Sequence, residues 1–394
     1  MKKEVKFSIP TYLGNEKRFI KKCIKNKKIS GDGYFSKKCC EWFENNYKTK
    51  KALLTTSCTH ALELSAKICD IGPGDEVIVP DFTYCATANA FINSGARVKF
   101  IDVKKESMNI DYRLIESAIS SKTKAIVIVH YAGVSCDMDA IMKIAKKYKL
   151  YLIEDAAQAI GSTYKGKYLG TIGDLGCFSF HDTKNLTMGE GGALLINNDK
   201  LIKKAIVISD NGNDREDYLK GLVDKYSWDM VGASYLASDL NAAYLYPQLL
   251  SIDKILKKRL KCWNLYNNLL APLEELGCIE LNKINSDCCH NGHIFYLKTK
   301  DKTIVKKLSE YLKNVGIKTA FHYTALHTTK VGKKYGSYIS NENVSTTDSE
   351  RLLRLPLYYG LKKRDIHYIV KNIYEFYGVR LNEKWCFYKN WKFN

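Results

Sequence analysis

In the stretch GCFSFHDTKNLTMGEGGALL, residues 176–195, an apolar run ends in Ser179, Phe180 and His181, delivers Lys184, and dissolves into glycines before a second apolar run. A lysine placed in a chain's interior is costly unless something uses its nitrogen. Upstream, LYLIEDAAQAIG sets Glu154 and Asp155 behind four apolar residues, at the carboxyl end of a strand. That end is where open α/β sheets bind ligands. Taken alone, Asp155 reads as a helix N-cap ahead of AAQA. Further upstream, LLTTSCTHALEL offers Ser57, Cys58 and Thr59 just before a helix. Backbone amides at a helix N-terminus with small hydroxyl side chains make a phosphate site; the plainer reading of Ser57 or Thr59 is again a cap.

Together these features point to pyridoxal phosphate (PLP). This cofactor needs an amine to condense with its aldehyde, a carboxylate facing its ring nitrogen, and a cup for a phosphate dianion. The amine must lose its proton to attack, against a reference pKa of about 10.4, and a desolvated pocket lowers that value. The freed amine can later shuttle a proton between substrate carbon and cofactor carbon. The glycines of GEGG allow backbone to pass close to a ligand, or simply turn.

The elements that must position these groups are legible as short apolar runs: KALLTTS, DEVIVPD, RVKFIDV, KAIVIVHYAG, LYLIEDAA, GCFSFH and GALLINN. Amphipathic stretches such as THALELSAKICD and MDAIMKIAKKYK lie between several of them. The expected fold class is therefore α/β, a mostly parallel sheet between helices. The alternation weakens between the last two runs. From about residue 239 a long helical pattern begins, which Pro247 should kink or split. HIFYLKT, TIVKKLSEYLKNVG, IKTAFHY and IHYIVKNIYEFYG then read as a smaller α+β region. The expected division is 1–250 for a large cofactor domain and 251–394 for a small one. The closing NEKWCFYKNWKFN is aromatic and basic, a docking tail or a frayed end.

At 394 residues, with 45% hydrophobic and 26% charged residues, the chain is of ordinary globular composition. No apolar run is long enough to span a bilayer and the start lacks an apolar signal core, so a cytoplasmic protein without membrane attachment is expected. Thirteen cysteines show no C-x-x-C spacing, so neither a metal site nor a disulfide framework is indicated. The net charge of +20 invites a nucleic-acid reading, yet the lysines fall on helical faces and no nucleic-acid motif accompanies them. An anionic small substrate fits the positive field better.

EDAAQAIGSTYKGKYLGTIGDLGCFSFHDTKNLTMGEGG resembles the sugar-nucleotide aminotransferases of the DegT/DnrJ/StrS type, which are fold-type-I PLP enzymes. ISGDGYFSKKCCEWFE, TTSCTHALEL, PGDEVIVPDFTYCATANAF, VHYAGVSCDMDAIM, ASYLASDLNAAYL and SERLLRLPLYYGL follow the family's order over nearly the whole chain. Within the family, the likeness is greatest to enzymes that aminate a dTDP-linked 4-keto-6-deoxyhexose with L-glutamate as donor. The resemblance implies Lys184 as the amine that holds PLP, Asp155 as partner of its ring nitrogen and Gln158 as partner of its ring hydroxyl. It implies Cys58, Thr59 and Ser179 at the phosphate, Tyr84 stacked on the ring, and His322 closing over the sugar nucleotide.

It also implies a homodimer with shared active sites, to which the loop near residues 225–236 contributes Lys225 and Trp228 toward substrate. Many relatives carry an asparagine where this chain has Leu236, which cannot donate a hydrogen bond; Ser234 or a backbone amide is the expected substitute. Relatives that dehydrate have histidine in place of the lysine, and Lys184 argues against that branch. Two readings compete with the transaminase: another PLP enzyme on the same scaffold, such as a deoxysugar dehydratase, and a basic binding protein with a vestigial pocket. Neither the nucleotide carrier nor 3- versus 4-amination follows from spacing.

Overall fold

The computed structural model describes residues 4–215, 218 and 221–380. The aromatic closing segment, with everything of the expected small domain beyond residue 380, lies outside them. Among the described residues, eight strands form one sheet in the spatial order Lys51–Thr55, Gly192–Ile196, Leu175–Ser179, Tyr151–Asp155, Thr123–Val129, Glu76–Pro80, Arg97–Ile101 and Gly336–Ile339. The run from Leu175–Ser179 to Gly336–Ile339 is parallel throughout. Gly192–Ile196 runs against both of its neighbours. No crossover helix separates Ser179 from Gly192, so the chain returns as a wide hairpin, and its loop carries Lys184.

The strands are apolar on both sides because both sides are covered. In Thr123–Val129, Ala125 and Val127 join one core cluster while Ile126 and Ile128 join the other. That period of two puts one layer of helices on each face. Met138–Tyr148 buries Met138, Ile141, Ile144 and Ala145 and leaves its lysines outside, and Lys149 in the left-handed region ends it. With its strand parallel to five others, Asp155 shares one sheet edge with Ser179, Val129 and Pro80.

The AAQA run does not continue as a helix. Residues 156–161 make turns, with Ala159 N–H donating to the Ala156 carbonyl and Ser162 N–H to that of Ala159. Gly161 closes them at φ +78°, where a Cβ would sit 2.2 Å from Leu256 Cδ1. The helix Asp239–Leu249 passes through Pro247, and the break falls just beyond, at Leu250–Ser251, before Ile252–Glu275 begins. A second sheet, Glu280–Leu281, Phe295–Lys298 and Leu352–Leu355, is antiparallel and shares a core with the helices Ile252–Glu275, Lys302–Asn314 and Lys363–Phe376. No described helix is long and apolar enough to cross a membrane.

Candidate active site

At the carboxyl edge of the main sheet lies a cleft of about 540 Å³, lined by Cys58, Thr59, Tyr84, Thr87, Asp155, Gln158, Ser179, Lys184, His293, His322, Tyr323 and Arg354 among others. Lys184 reaches it from a loop held on several sides. Gln248 Oε1 accepts the Thr187 amide at 3.0 Å, Asn241 Nδ2 donates to the carbonyls of Met188 and Glu190, and Thr11 Oγ1 donates to the Asn185 carbonyl at 2.8 Å. Burial lowers the Lys184 pKa from its ordinary value, against the pull of Cys58 and Asp155, which raises it. A neutral amine is the nucleophilic form.

Asp155 is 5% exposed, and both of its oxygens are engaged. Thr87 Oγ1 donates to Oδ2 at 2.7 Å and the Ala157 amide to Oδ1 at 3.1 Å. Because the Thr87 proton goes to Asp155, the 2.9 Å contact between the Thr83 and Thr87 hydroxyls must use the Thr83 proton. Burial raises the Asp155 pKa while these hydrogen bonds and Lys184 oppose it. Beneath, the fully buried Glu154 accepts the amides of Gly170, Ile172 and Gly173 at 2.6–2.7 Å and meets His130 Nε2 at 2.9 Å. His130 Nδ1 accepts the Cys136 amide at 3.3 Å, which puts the ring proton on Nε2.

Gln158 joins the two regions of the chain. Its Oε1 accepts the Ala132 amide at 2.7 Å and its Nε2 donates to the Tyr323 hydroxyl at 2.9 Å. His322 stacks on Tyr323 with ring centroids 3.7 Å apart and meets the Tyr131 hydroxyl at 2.6 Å through Nδ1. Burial holds His322 well below the ordinary histidine range, so it is neutral. Tyr84, 60% exposed, sits at the cleft 6.1 Å from the Tyr323 ring and leaves a face open.

Ser57 caps the helix Cys58–Ile68 by accepting the His60 amide at 3.1 Å. Cys58 and Thr59 open that helix, before its first intrahelical amide bond. Gly192 is required there: a Cβ on it would lie 2.5 Å from the Cys58 nitrogen. The Cys58 thiol is pushed well above its ordinary pKa by burial, which suits a packing role and not a nucleophile.

These residues fit PLP: a buried acid with two donors behind it, a desolvated amine, a helix N-terminus and an uncovered aromatic face share one cleft. When bound, PLP supplies an aldehyde for the amine and an electron sink for carbanion chemistry. The profile of the DegT/DnrJ/EryC1/StrS aminotransferase family matches residues 12–374. The chain belongs to that family. GDP-perosamine synthase of Escherichia coli O157:H7 is 31% identical over 370 residues, covering 94% of this chain and 97% of that protein. The spore coat polysaccharide biosynthesis protein SpsC of Bacillus subtilis strain 168 is 33% identical over 334 residues, covering 82% and 85%. A candidate sugar aminotransferase of Streptococcus pneumoniae, Spr1654, solved in PLP and PMP forms, superposes with a TM-score of 0.87 at 25% identity, covering 95% of this chain and 98% of that one.

The chain is thus a PLP-dependent sugar aminotransferase of fold type I. Of the residues expected at its site, Cys58, Thr59, Tyr84, Asp155, Gln158, Ser179, Lys184 and His322 line the cleft. Ser234, Lys225 and Trp228 lie outside the cleft of their own chain. Ser234 bridges to Asp210, Lys225 is exposed, and Trp228 is 77% exposed beside Asn211, Asn213 and Tyr226. Leu236 bridges to Thr55 and packs over Gly31, where a Cβ would lie 2.7 Å from its own Cβ. Sequence reasoning assigned no role to Thr87, His130, His293 or Arg354. Two of them carried a signal: His130 ends the apolar run KAIVIV, and Arg354 is a lone charge inside LLRLPL.

Proposed function

We propose that this aminotransferase moves the amino group of L-glutamate to the 4-keto carbon of dTDP-4-dehydro-6-deoxy-D-glucose, giving dTDP-4-amino-4,6-dideoxygalactose for surface polysaccharide biosynthesis in the cytoplasm. The observation that carries the reading is the meeting of Lys184 and Asp155 in one cleft beside the N-terminus of the Cys58–Ile68 helix. Lys184 binds PLP and moves the proton; Asp155 holds the ring nitrogen, with Thr87 fixing its Oδ2. Gln158 meets the ring hydroxyl, Tyr84 covers the ring, and Cys58, Thr59 and Ser179 hold the phosphate. His322 closes over the sugar nucleotide as a neutral hydrogen-bonding group.

The enzyme acts as a homodimer whose sites are completed across the interface by Lys225, Trp228 and Ser234 of the neighbouring subunit. In support, Leu222, Trp228 and Val231 are 69%, 77% and 74% exposed in the single chain, more apolar surface than an isolated loop normally presents. A GDP-linked 4-keto-6-deoxy sugar is the second reading, favoured by the similarity to the GDP-perosamine synthases of Escherichia coli O157:H7 and Caulobacter vibrioides. The test offers purified enzyme glutamate with dTDP-, GDP- and UDP-linked keto sugars and determines the product's configuration by NMR. Turnover of the dTDP substrate to the galacto-configured 4-amine supports the proposal. Preference for another carrier, or amination at the 3-position, overturns it.

A further inference from the structure

The stretch KRFIKKCIKNKK, residues 17–28, carries seven cations and no acid, about a third of the chain's net charge of +20. None of the seven lines the cleft. Its helix, Glu16–Lys25, turns Glu16 and Cys23 inward. Glu16 is spent there on the amides of Leu13 and Gly14, at 2.8 and 2.9 Å. All seven cations are exposed, and none of them pairs with a carboxylate among the described residues. Asp239 holds the end of the helix against the turns that follow. It accepts the Cys23 thiol at 3.4 Å and the Phe35 amide at 3.3 Å, and its own amide donates to the Ile29 carbonyl at 3.1 Å. Three apolar side chains at or beside those anchors are left outside: Ile24 is 58%, Ile29 52% and Tyr34 44% exposed. Lys22 Nζ lies 4.8 Å over the Tyr34 ring. The result is an apolar patch inside a cationic rim, held from behind.

Such a patch asks for a partner that is anionic and apolar at once. A second copy of this chain is a poor match. Its surface is itself strongly cationic, and a two-fold contact through the patch would set these seven cations against seven. A nucleic acid satisfies the lysines but leaves Ile24 and Ile29 against phosphate. The surface of an anionic bilayer satisfies both, with headgroup phosphates for the lysines and the acyl boundary for the isoleucines and Tyr34. Clusters of about four to eight Lys or Arg on one helix carry this signature. Contact of this kind needs no membrane-spanning segment.

We propose that the outer face of Glu16–Lys25, with the turn that follows it, rests on an anionic lipid surface and makes this aminotransferase a peripheral membrane protein. The proposal stands apart from the choice of sugar nucleotide. Its test sediments the PLP-loaded full chain with vesicles of phosphatidylcholine alone or mixed with phosphatidylglycerol. Wild type should bind only the mixed vesicles and leave them as salt is raised. Each cation at such a surface is worth about fivefold in affinity, so Lys21→Gln with Lys25→Gln and Lys28→Gln should weaken binding about 100-fold. Ile24→Ser with Ile29→Ser should cost roughly tenfold at unchanged charge. PLP content and melting temperature should stay close to wild type in both variants. Failure of the wild type to bind the mixed vesicles, or unchanged binding by either variant, overturns the proposal; the latter moves the contact elsewhere, residues 381–394 included. Loss of the dimer in the variants instead assigns the patch to a second copy, and tighter retention on single-stranded RNA than on the mixed vesicles assigns it to nucleic acid. Either overturns it.

Discussion

Lys184 carries a cost that its chemistry offsets. Its pKa is depressed by burial, so the folded, cofactor-free chain binds fewer protons there than the unfolded chain. Stability attached to this group is therefore complete above the ordinary lysine pKa and is lost as pH falls from there toward the depressed folded value. Lys184→Met should remove that pH dependence and raise the melting temperature of cofactor-free protein at neutral pH by about 2 °C or more. The same variant should abolish turnover; calorimetry and a glutamate-dependent assay read the two effects. Thr87→Val leaves the Asp155 carboxylate with one donor fewer. A hydrogen bond to a charged group contributes about 1.5–3 kcal/mol, so single-turnover rates should fall roughly 10- to 100-fold with the fold intact. The lysine, the acid and the helix start at Cys58 were legible as a set, since each alone reads as a cap or a core group and only their combination points to PLP; Gln158 was named by the family resemblance alone. Thr87 was not legible, because a threonine in a helix becomes a donor to Asp155 only once Glu76–Pro80 and Tyr151–Asp155 are laid on either side of Thr123–Val129.

Among the elements, the wide hairpin between Leu175–Ser179 and Gly192–Ile196 sets the geometry of the site. Its return strand packs against the start of the Cys58–Ile68 helix, and Gly192 is where the two backbones meet. Gly192→Ala must push the helix N-terminus away, at a cost of about 1–3 kcal/mol by the rule for overpacked sites. PLP should be retained more weakly, which equilibrium dialysis would show, and a wild-type dissociation constant in the variant would refute the close-approach argument. The apolar runs marked these strands, but their periodicity carries no direction, and the antiparallel return follows from the missing crossover helix. The AAQA turns were hidden for a different reason. Local helix propensity favours a helix there, and the packing of Gly161 against Leu256 overrides it.

For the whole molecule, the proposed dimer predicts a coupled loss. Leu222→Glu with Trp228→Glu should shift sedimentation from dimer to monomer and reduce activity together, since the same loop is to complete the neighbour's site. A fully active monomer would refute the shared site. The overall α/β plan was readable from alternating runs, whereas the placement of Gly336–Ile339 was not. That strand comes from the carboxyl-terminal third yet pairs with Arg97–Ile101 at the edge of the main sheet. Asp102 secures the join by accepting the amides of Val344 and Ser345, and Asp81 accepts His327 Nδ1 at 2.7 Å. During synthesis, then, the Arg97–Ile101 edge leaves the ribosome long before its cover does, and stays unpaired until more than two hundred further residues have emerged. A nascent chain arrested before residue 336 should bind chaperones and aggregate, and release of the full chain should end both.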